Sequence, residues 1–310
     1  MSKIKQIWTE SYRPSTVDGY VFKDNRLREQ VNAWIKEKSI PHILLSGGPG
    51  VGKSTLAKIL INGLNVDKYD VLEINASREN GVDEVRNKIT NFCSTMPFGD
   101  IKIVFLDEAD GFSAAGQAAL RGTMEQFATN VRFILTCNYP NKIIPALHSR
   151  TQSIHIDTID QVEFTTRAAT VLVTENIEFE LDTLDTYVKS TYPDLRKCLN
   201  MLQHNSNNGK LQAPDSADMS TSDYKLSAVD LFKKGKIREA RQLICSQARP
   251  EEMTDFFKWC YTNLDLWSKT DDGKDDAILI IRNGLVNSAL VADQEINISA
   301  MLVELSNIEK

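Results

Sequence analysis

Two stretches carry the residue types that chemistry needs. The first, Gly47-Gly48-Pro49-Gly50-Val51-Gly52-Lys53-Ser54, fits the phosphate-binding pattern G-x-x-x-x-G-K-[ST]. Glycines there let backbone N–H groups approach phosphate oxygens with no side chain between them. Lys53 would reach the β- and γ-phosphates of a nucleotide, and the Ser54 hydroxyl would be one ligand of Mg²⁺. Gly48, Pro49, Gly50, Val51, Gly52, Lys53, Ser54 and Thr55 are therefore candidate nucleotide-binding residues. The second stretch, Asp107-Glu108-Ala109-Asp110, follows the apolar-rich run Ile101 to Leu106. Asp107 would hold Mg²⁺, directly or through water, and Glu108 would orient or deprotonate an attacking water. Asn138 ends the next such run, Val131 to Cys137, where it could touch the γ-phosphate or that water.

The elements that must position these residues can be read from periodicity. His42 to Leu45 precedes the glycine loop as a strand, and Leu56 to Leu60 follows it as a helix. Before them, Leu27, Val31, Trp34 and Ile35 repeat at helical spacing. Tyr69 to Ala76 reads as a second strand, and Val82, Val85, Ile89 and Phe92 form one face of a helix. Strands at 101–106, 131–137 and 153–156 alternate with a helix at 114–127. Such alternation implies a parallel sheet covered on both faces, with its carboxyl edge carrying the chemistry. The pattern then turns helical over Val162 to Val173, Leu181 to Ser190 and Asp194 to His204, with Asp194 placed to cap the last. Asn205 to Asp223 is rich in Asn, Ser, Asp and Gly and reads as a linker. From Tyr224 the pattern is again helical, and Phe256, Trp259, Cys260, Leu264 and Trp267 form a stripe suited to a core or a subunit interface. The expected domains are 1–156, 157–222 and 223–310.

At 310 residues the chain is long enough for two or three domains. No apolar run approaches the roughly 18 residues of a membrane span, and the polar start lacks a signal-peptide core, so an intracellular protein without a membrane partner is expected. The five cysteines have no zinc-like spacing and are expected to be reduced and buried. The net charge is −6. Its distribution is uneven: 19 Lys+Arg face 16 Asp+Glu over residues 1–156, a net +3, and the acidity lies downstream. A polyanion could bind the first domain despite the acidic total. Trp8-Thr9-Glu10-Ser11-Tyr12-Arg13-Pro14 leaves two readings open, an arm packed on the domain or a surface laid against a nucleotide base. Arg86 and Lys88 lie off their helix's apolar face, the usual place of solvated charges.

Together these stretches identify a family by likeness. The chain resembles the ATPase subunits of sliding-clamp loaders, of the replication-factor-C small-subunit type and its phage counterpart. The resemblance rests on Trp8 to Pro14, Gly47 to Ser54, Asn75-Ala76-Ser77 with Val85 to Ile89, Asp107 to Asp110, Gln117 to Glu125, Cys137-Asn138-Tyr139 with Lys142-Ile143-Ile144, Ser149-Arg150 and Asp194-Leu195-Arg196, in order over residues 8–204. It implies an α/β P-loop NTPase fold of the AAA+ type with a five-stranded parallel sheet, a small helical lid and an all-α collar through which subunits form a ring. It implies ATP and Mg²⁺ as ligands, with Tyr12 and Arg13 on the adenine side and Asn138 as sensor of the γ-phosphate. Arg196 would be a second sensor in the same subunit, and Arg150 a finger entering the neighbouring subunit's site. The implied partners are other clamp-loader subunits, in a pentamer with one dissimilar member, a sliding clamp and primer-template DNA. Arg78, Asn80, Arg86, Lys88 and Ser113 are the DNA-facing candidates. Two departures stand out: Thr151 where the family usually has Cys, and Gly122 where it commonly has Arg. The short chain without a basic C-terminal tail points toward a bacteriophage source. Two alternatives are another AAA+ machine on DNA, a branch-migration motor or an initiator, and a non-catalytic scaffold subunit of such a ring.

Overall fold

A computed structural model describes residues 7–77, 82–207, 209–212, 228–229, 231–247, 253–288, 290–291 and 293–308. By its internal contacts the chain divides into two compact units, Met1–Ala213 and Pro214–Lys310.

The first unit is built on five parallel strands, β1 (Ile43–Gly47), β2 (Val71–Asn75), β3 (Lys102–Asp107), β4 (Val131–Cys137) and β5 (Gln152–Ile156), in the order β2-β3-β4-β1-β5. The central strands are apolar because both faces are covered. Ile43, Leu45, Ile103, Phe105 and Ile134 turn toward α2 (Asn25–Glu37) and α3 (Lys53–Gly63), while Leu44, Val104, Leu106, Phe133 and Leu135 turn toward α4 (Val82–Ser94) and α5 (Ala114–Gln126). The alternation is the two-residue period of a strand, displayed on two buried faces. Strand β2 is shorter than expected, because Lys68–Asp70 forms a tight helical turn in which the buried Asp70 accepts from the N–H groups of Phe98 and Gly99, at 2.8 and 2.9 Å.

Helix boundaries follow their capping residues. Asp24 accepts from Leu27 N–H to open α2, and Lys38 closes it in the left-handed region. Ser113 opens α5 by accepting from Gly116 N–H. After the sheet come α7 (Gln161–Thr174), α8 (Leu181–Thr191) and α9 (Leu195–His204), the last capped by Asp194 through Lys197 N–H at 2.8 Å, as the sequence predicts. These three helices share one continuous apolar core with α2, α3 and the sheet face beneath them. The one-turn helix α1 (Trp8–Ser11) drops Trp8 into the same core.

The expected linker begins as structure. Ser206–Asn207 and Lys210–Leu211 pair antiparallel, and Leu211 is buried in the first unit's core; residues 213–223 lie outside the described residues. In the second unit the described residues form helices Ile237–Gln247, Met253–Thr262, Asp271–Ser288 and Gln294–Ser306 around their own core. Phe256, Cys260 and Trp267 of the aromatic stripe are buried there, with Trp259 and Leu264 packed partly against them. All five cysteines are free, and Cys245 is only half-buried rather than buried as expected.

Candidate active site

The parallel register brings the ends of β1, β3 and β4 to one edge of the sheet, and the phosphate loop closes over it. Gly50 and Gly52 adopt φ of +72° and +92°, which residues with a side chain resist. Space is as restrictive as conformation at Gly50, where an added Cβ would lie 1.7 Å from Asp194 Oδ1. The loop and the start of α9 are therefore in direct contact.

Lys53, the first residue of α3, folds back over the loop. Its Nζ donates to the carbonyls of Gly47 (2.9 Å) and Gly48 (2.6 Å) and to Asn138 Oδ1 (2.9 Å). Burial pushes its ammonium below the usual lysine range, against the pull of nearby Asp107 and Asp110. The cation is thus fixed at the mouth of a helix N-terminus, where phosphate oxygens would be held by the same ammonium and the loop's N–H groups.

Next to it, Ser54 Oγ donates to Asp107 Oδ1 at 2.6 Å, and Thr136 Oγ1 donates to the same oxygen at 2.6 Å. Thr136 Oγ1 in turn accepts from Glu108 N–H at 3.0 Å. A serine hydroxyl and a carboxylate converging in this way fit Mg²⁺, a hard cation that takes one or two protein oxygens and completes its shell with phosphates and water. Among the described residues no cluster of three His, Cys, Asp or Glu offers a cage for any other metal. Glu108 sits in the left-handed region, φ 57° and ψ 45°, a conformation that costs a non-glycine residue roughly 1 kcal/mol. Asp110 fixes the next strand end, since its Oδ2 accepts from the N–H groups of Asn138 (3.1 Å) and Tyr139 (3.0 Å).

The sequence-derived residues divide between two halves of one cleft. Pro49, Gly50, Gly52, Lys53, Ser54, Thr55, Asp107, Glu108, Asn138 and Arg196 line the phosphate half. Tyr12, Arg13, Gly50, Val51, Gly52, Thr55 and Arg196 line the other, together with Tyr20, Val21, Ile159, Leu195 and Leu199. That second half is apolar enough for a base, and Arg196 faces both. The N-terminal arm packs on the domain through Trp8, and its Tyr12 lines the cleft.

Arg150 lines neither half. Its Nη1 donates to Ala146 O (3.0 Å) and Ser149 Oγ (3.3 Å), and its Nη2 pairs with Glu125, which also pairs with Arg121. Arg86 and Lys88 are exposed on α4, Ser113 is spent on capping α5, and Arg78 and Asn80 lie outside the described residues. Sequence reasoning gave no role to Thr136 or Asp110. The signal for Thr136 was a hydroxyl in the buried, otherwise apolar end of a strand, Phe133 to Cys137; for Asp110 it was a third acid in the same short run. Gln117 was also missed as a tie: fully buried, it donates to Phe112 O and Lys142 O and accepts from Ile144 N–H, joining α5 to the segment before α6 (Pro145–His148).

Comparison with known proteins agrees with this geometry. Residues 43–158 match the model of the ATPase family associated with various cellular activities (AAA). The replication factor C small subunit of Saccharolobus solfataricus is 40% identical over 215 residues, which are 68% of this chain and 65% of that protein. That of Sulfurisphaera tokodaii is 40% identical over 209 residues, 66% of this chain and 64% of the other; that of Methanococcus maripaludis is 38% identical over 200 residues, 63% of each. The chain thus spans a little under two thirds of the length of these curated relatives. Among solved structures, the Holliday junction branch migration motor RuvB of Thermotoga maritima has a TM-score of 0.56 at 16% identity, over 71% of this chain and 79% of that one, a likeness of fold alone. The glycine loop and the strand-end acids thus lie within the residues, 43–158, that match the AAA ATPase family model, in a chain that resembles replication factor C small subunits over 68% of its length.

Proposed function

We propose that this chain is an ATPase subunit of a DNA polymerase sliding-clamp loader, which uses ATP binding and hydrolysis to open a clamp and load it on primer-template DNA. The observation that carries the reading is the convergence of Lys53, Asn138, Ser54, Asp107 and Glu108 on one sheet edge, in a chain similar to replication factor C small subunits. Tyr12 and Arg13 hold the adenine side, and Lys53 with the loop N–H groups holds the phosphates. Ser54 and Asp107 would hold Mg²⁺, which when bound neutralises charge on the β- and γ-phosphates. Glu108 orients the attacking water, and Asn138 and Arg196 contact the γ-phosphate. Arg150, which lines neither half of its own chain's cleft, completes the site of a neighbouring subunit. A guanidinium there stabilises charge on the transferring phosphoryl group and contributes about 10³ to 10⁵ in rate. Hydrolysis then depends on assembly, in a ring of several subunits with one dissimilar member.

DNA would be gripped by its phosphates and not read by its bases, consistent with a first domain that is net positive. Arg86 and Lys88, with Arg78, Asn80 and Ser113, are the residues proposed for that surface. The alternative of a branch-migration motor or initiator would call for strand pairs after residue 223; the described residues of that region form helices. The deciding experiment measures ATP hydrolysis by the assembled complex with and without clamp and primed DNA. Stimulation by both is expected, with loss of hydrolysis and of loading in Lys53→Ala. An unstimulated rate overturns the loader reading, and full loading by Lys53→Ala makes the chain a scaffold.

A further inference from the structure

Two of the walls of the base half of the cleft differ in origin. One is the phosphate loop, Gly50 to Gly52, carried by the sheet; the other is the N-terminal arm that presents Tyr12. A four-residue helix such as α1 does not hold its own shape in water. The arm's position is therefore imposed from outside, and the polar contacts that impose it come from the helical segment 161–204. Trp8 N–H donates to Gln203 Oε1 on α9 at 3.0 Å. Arg167 on α7 donates from Nη2 to the Tyr12 carbonyl at 2.7 Å, and the Tyr12 hydroxyl donates to Glu175 Oε1, at the end of α7, also at 2.7 Å. Tyr12 is thus held at both its backbone and its phenol by one helix. Partial burial and the Glu175 carboxylate push the phenol up to about 12, so that it remains a donor at any physiological pH.

Arg167 is costly where it stands. Its Nε is buried without a partner, and burial pulls its guanidinium below the ordinary arginine range. A simple tether of the chain's start would not require a desolvated cation. An arginine is suited to fixing one carbonyl in a defined direction, because its planar fork is preorganised.

We propose that Arg167 and Glu175 are positioning residues for nucleotide recognition: they hold Tyr12 against the base, so that the wall facing the phosphate loop is a part of α7 and moves with it. This rests on the ATPase reading of the cleft. Its consequence is that base occupancy and the orientation of the helical segment are one event, with the triphosphate read separately by Lys53 and the loop.

The test uses the full chain and two probes, a fluorescent ATP analogue and inorganic tripolyphosphate, which has the phosphates and no base. Arg167→Ala, Glu175→Ala and Tyr12→Phe should each weaken binding of the analogue about 3- to 10-fold, the range for the net loss of one ordinary hydrogen bond. Tripolyphosphate affinity should stay within twofold. In the assembled complex, KM for ATP should rise in Arg167→Ala and Glu175→Ala with kcat little changed, and Arg167→Lys should recover part of the affinity. Because Tyr12 and Glu175 act as one contact, the double variant should bind no more weakly than the worse single variant. Unchanged binding of the analogue overturns the inference, as do parallel losses for both probes, which would mark general damage to the fold, and additive effects of Tyr12→Phe and Glu175→Ala. If the unaltered chain binds tripolyphosphate and not the analogue, the ATPase reading falls and the inference with it. If it binds both and the variants do too, only the inference falls.

Discussion

The hydroxyl of Thr136 serves both acids of the site: it donates to Asp107 and accepts from Glu108 N–H. Valine has the same shape and neither function. Thr136→Val should leave Glu108 N–H without its acceptor and Asp107 with one donor fewer, costing about 1 to 3 kcal/mol of stability in urea. It should also lower kcat about 10- to 100-fold, because Glu108 loses the contact that directs it. ATP binding should persist, and an unchanged kcat would remove Thr136 from the mechanism. His42 supplies a second residue-scale expectation. Its Nδ1 accepts from Phe133 N–H at 3.1 Å, and burial, assisted by the Arg132 charge, lowers its pKa from the ordinary 6.5 to about 4. The unfolded chain therefore takes up this proton before the folded one does, and the His42 contribution is complete above pH 6.5 and falls as the pH drops toward 4. Urea midpoints at pH 7 and pH 5 should drop more in the unaltered chain than in His42→Gln, which retains an acceptor and cannot be protonated.

At the scale of elements, the join between the phosphate loop and α9 decides what the cleft tolerates. Gly50→Ala adds a methyl group where Asp194 Oδ1 stands and forces alanine to a φ of +72°. The backbone alone costs about 1 kcal/mol, and the displaced Asp194 no longer caps α9. Calorimetric titration should show ATP binding weakened more than tenfold, and binding within twofold would mean that loop and helix give way independently. The same join marks the limit of what the sequence shows. Strands β1, β3 and β4 were legible because they are buried on both faces and so nearly uniform in character, and α9 because Asp194 is a capping type before a periodic run. The phosphate half was legible too, since its chemistry restricts residue type at fixed spacing. The base half was not: Tyr20, Ile159, and Leu195 with Leu199 come from three places in the chain and are ordinary apolar or aromatic residues at each. Gln117 was hidden for a related reason, that its partners are backbone groups, which leave no mark in a sequence, and Thr136 because its partners Asp107 and Glu108 N–H are 28 or 29 residues away in the chain. The short β2 and the hairpin at 206–211 were misread because the Asp70 contacts and the Leu211 burial that set them are tertiary.

For the whole molecule, every residue that lines the cleft falls between Thr9 and Leu199, inside the first compact unit. A chain ending after Ala213 should therefore fold and bind the ATP analogue within about threefold of the full chain, while losing hydrolysis if that step requires a neighbour's Arg150. Failure of the shortened chain to bind would show that the second unit supports the cleft. One further feature sets how such a neighbour could be felt. Gly47 lies so close to β5 that an added Cβ would sit 2.0 Å from the Ile156 carbonyl, and β5 is paired to β1 along its whole length, from Gln152 opposite Ile43 to Ile156 opposite Gly47. Arg150 is two residues upstream of that strand, and the Gly47 carbonyl at its far end is one of the three oxygens holding Lys53. Arg150 and the lysine's cradle are thus joined through a single edge strand: β5 begins two residues after the arginine and ends against the first residue of the phosphate loop.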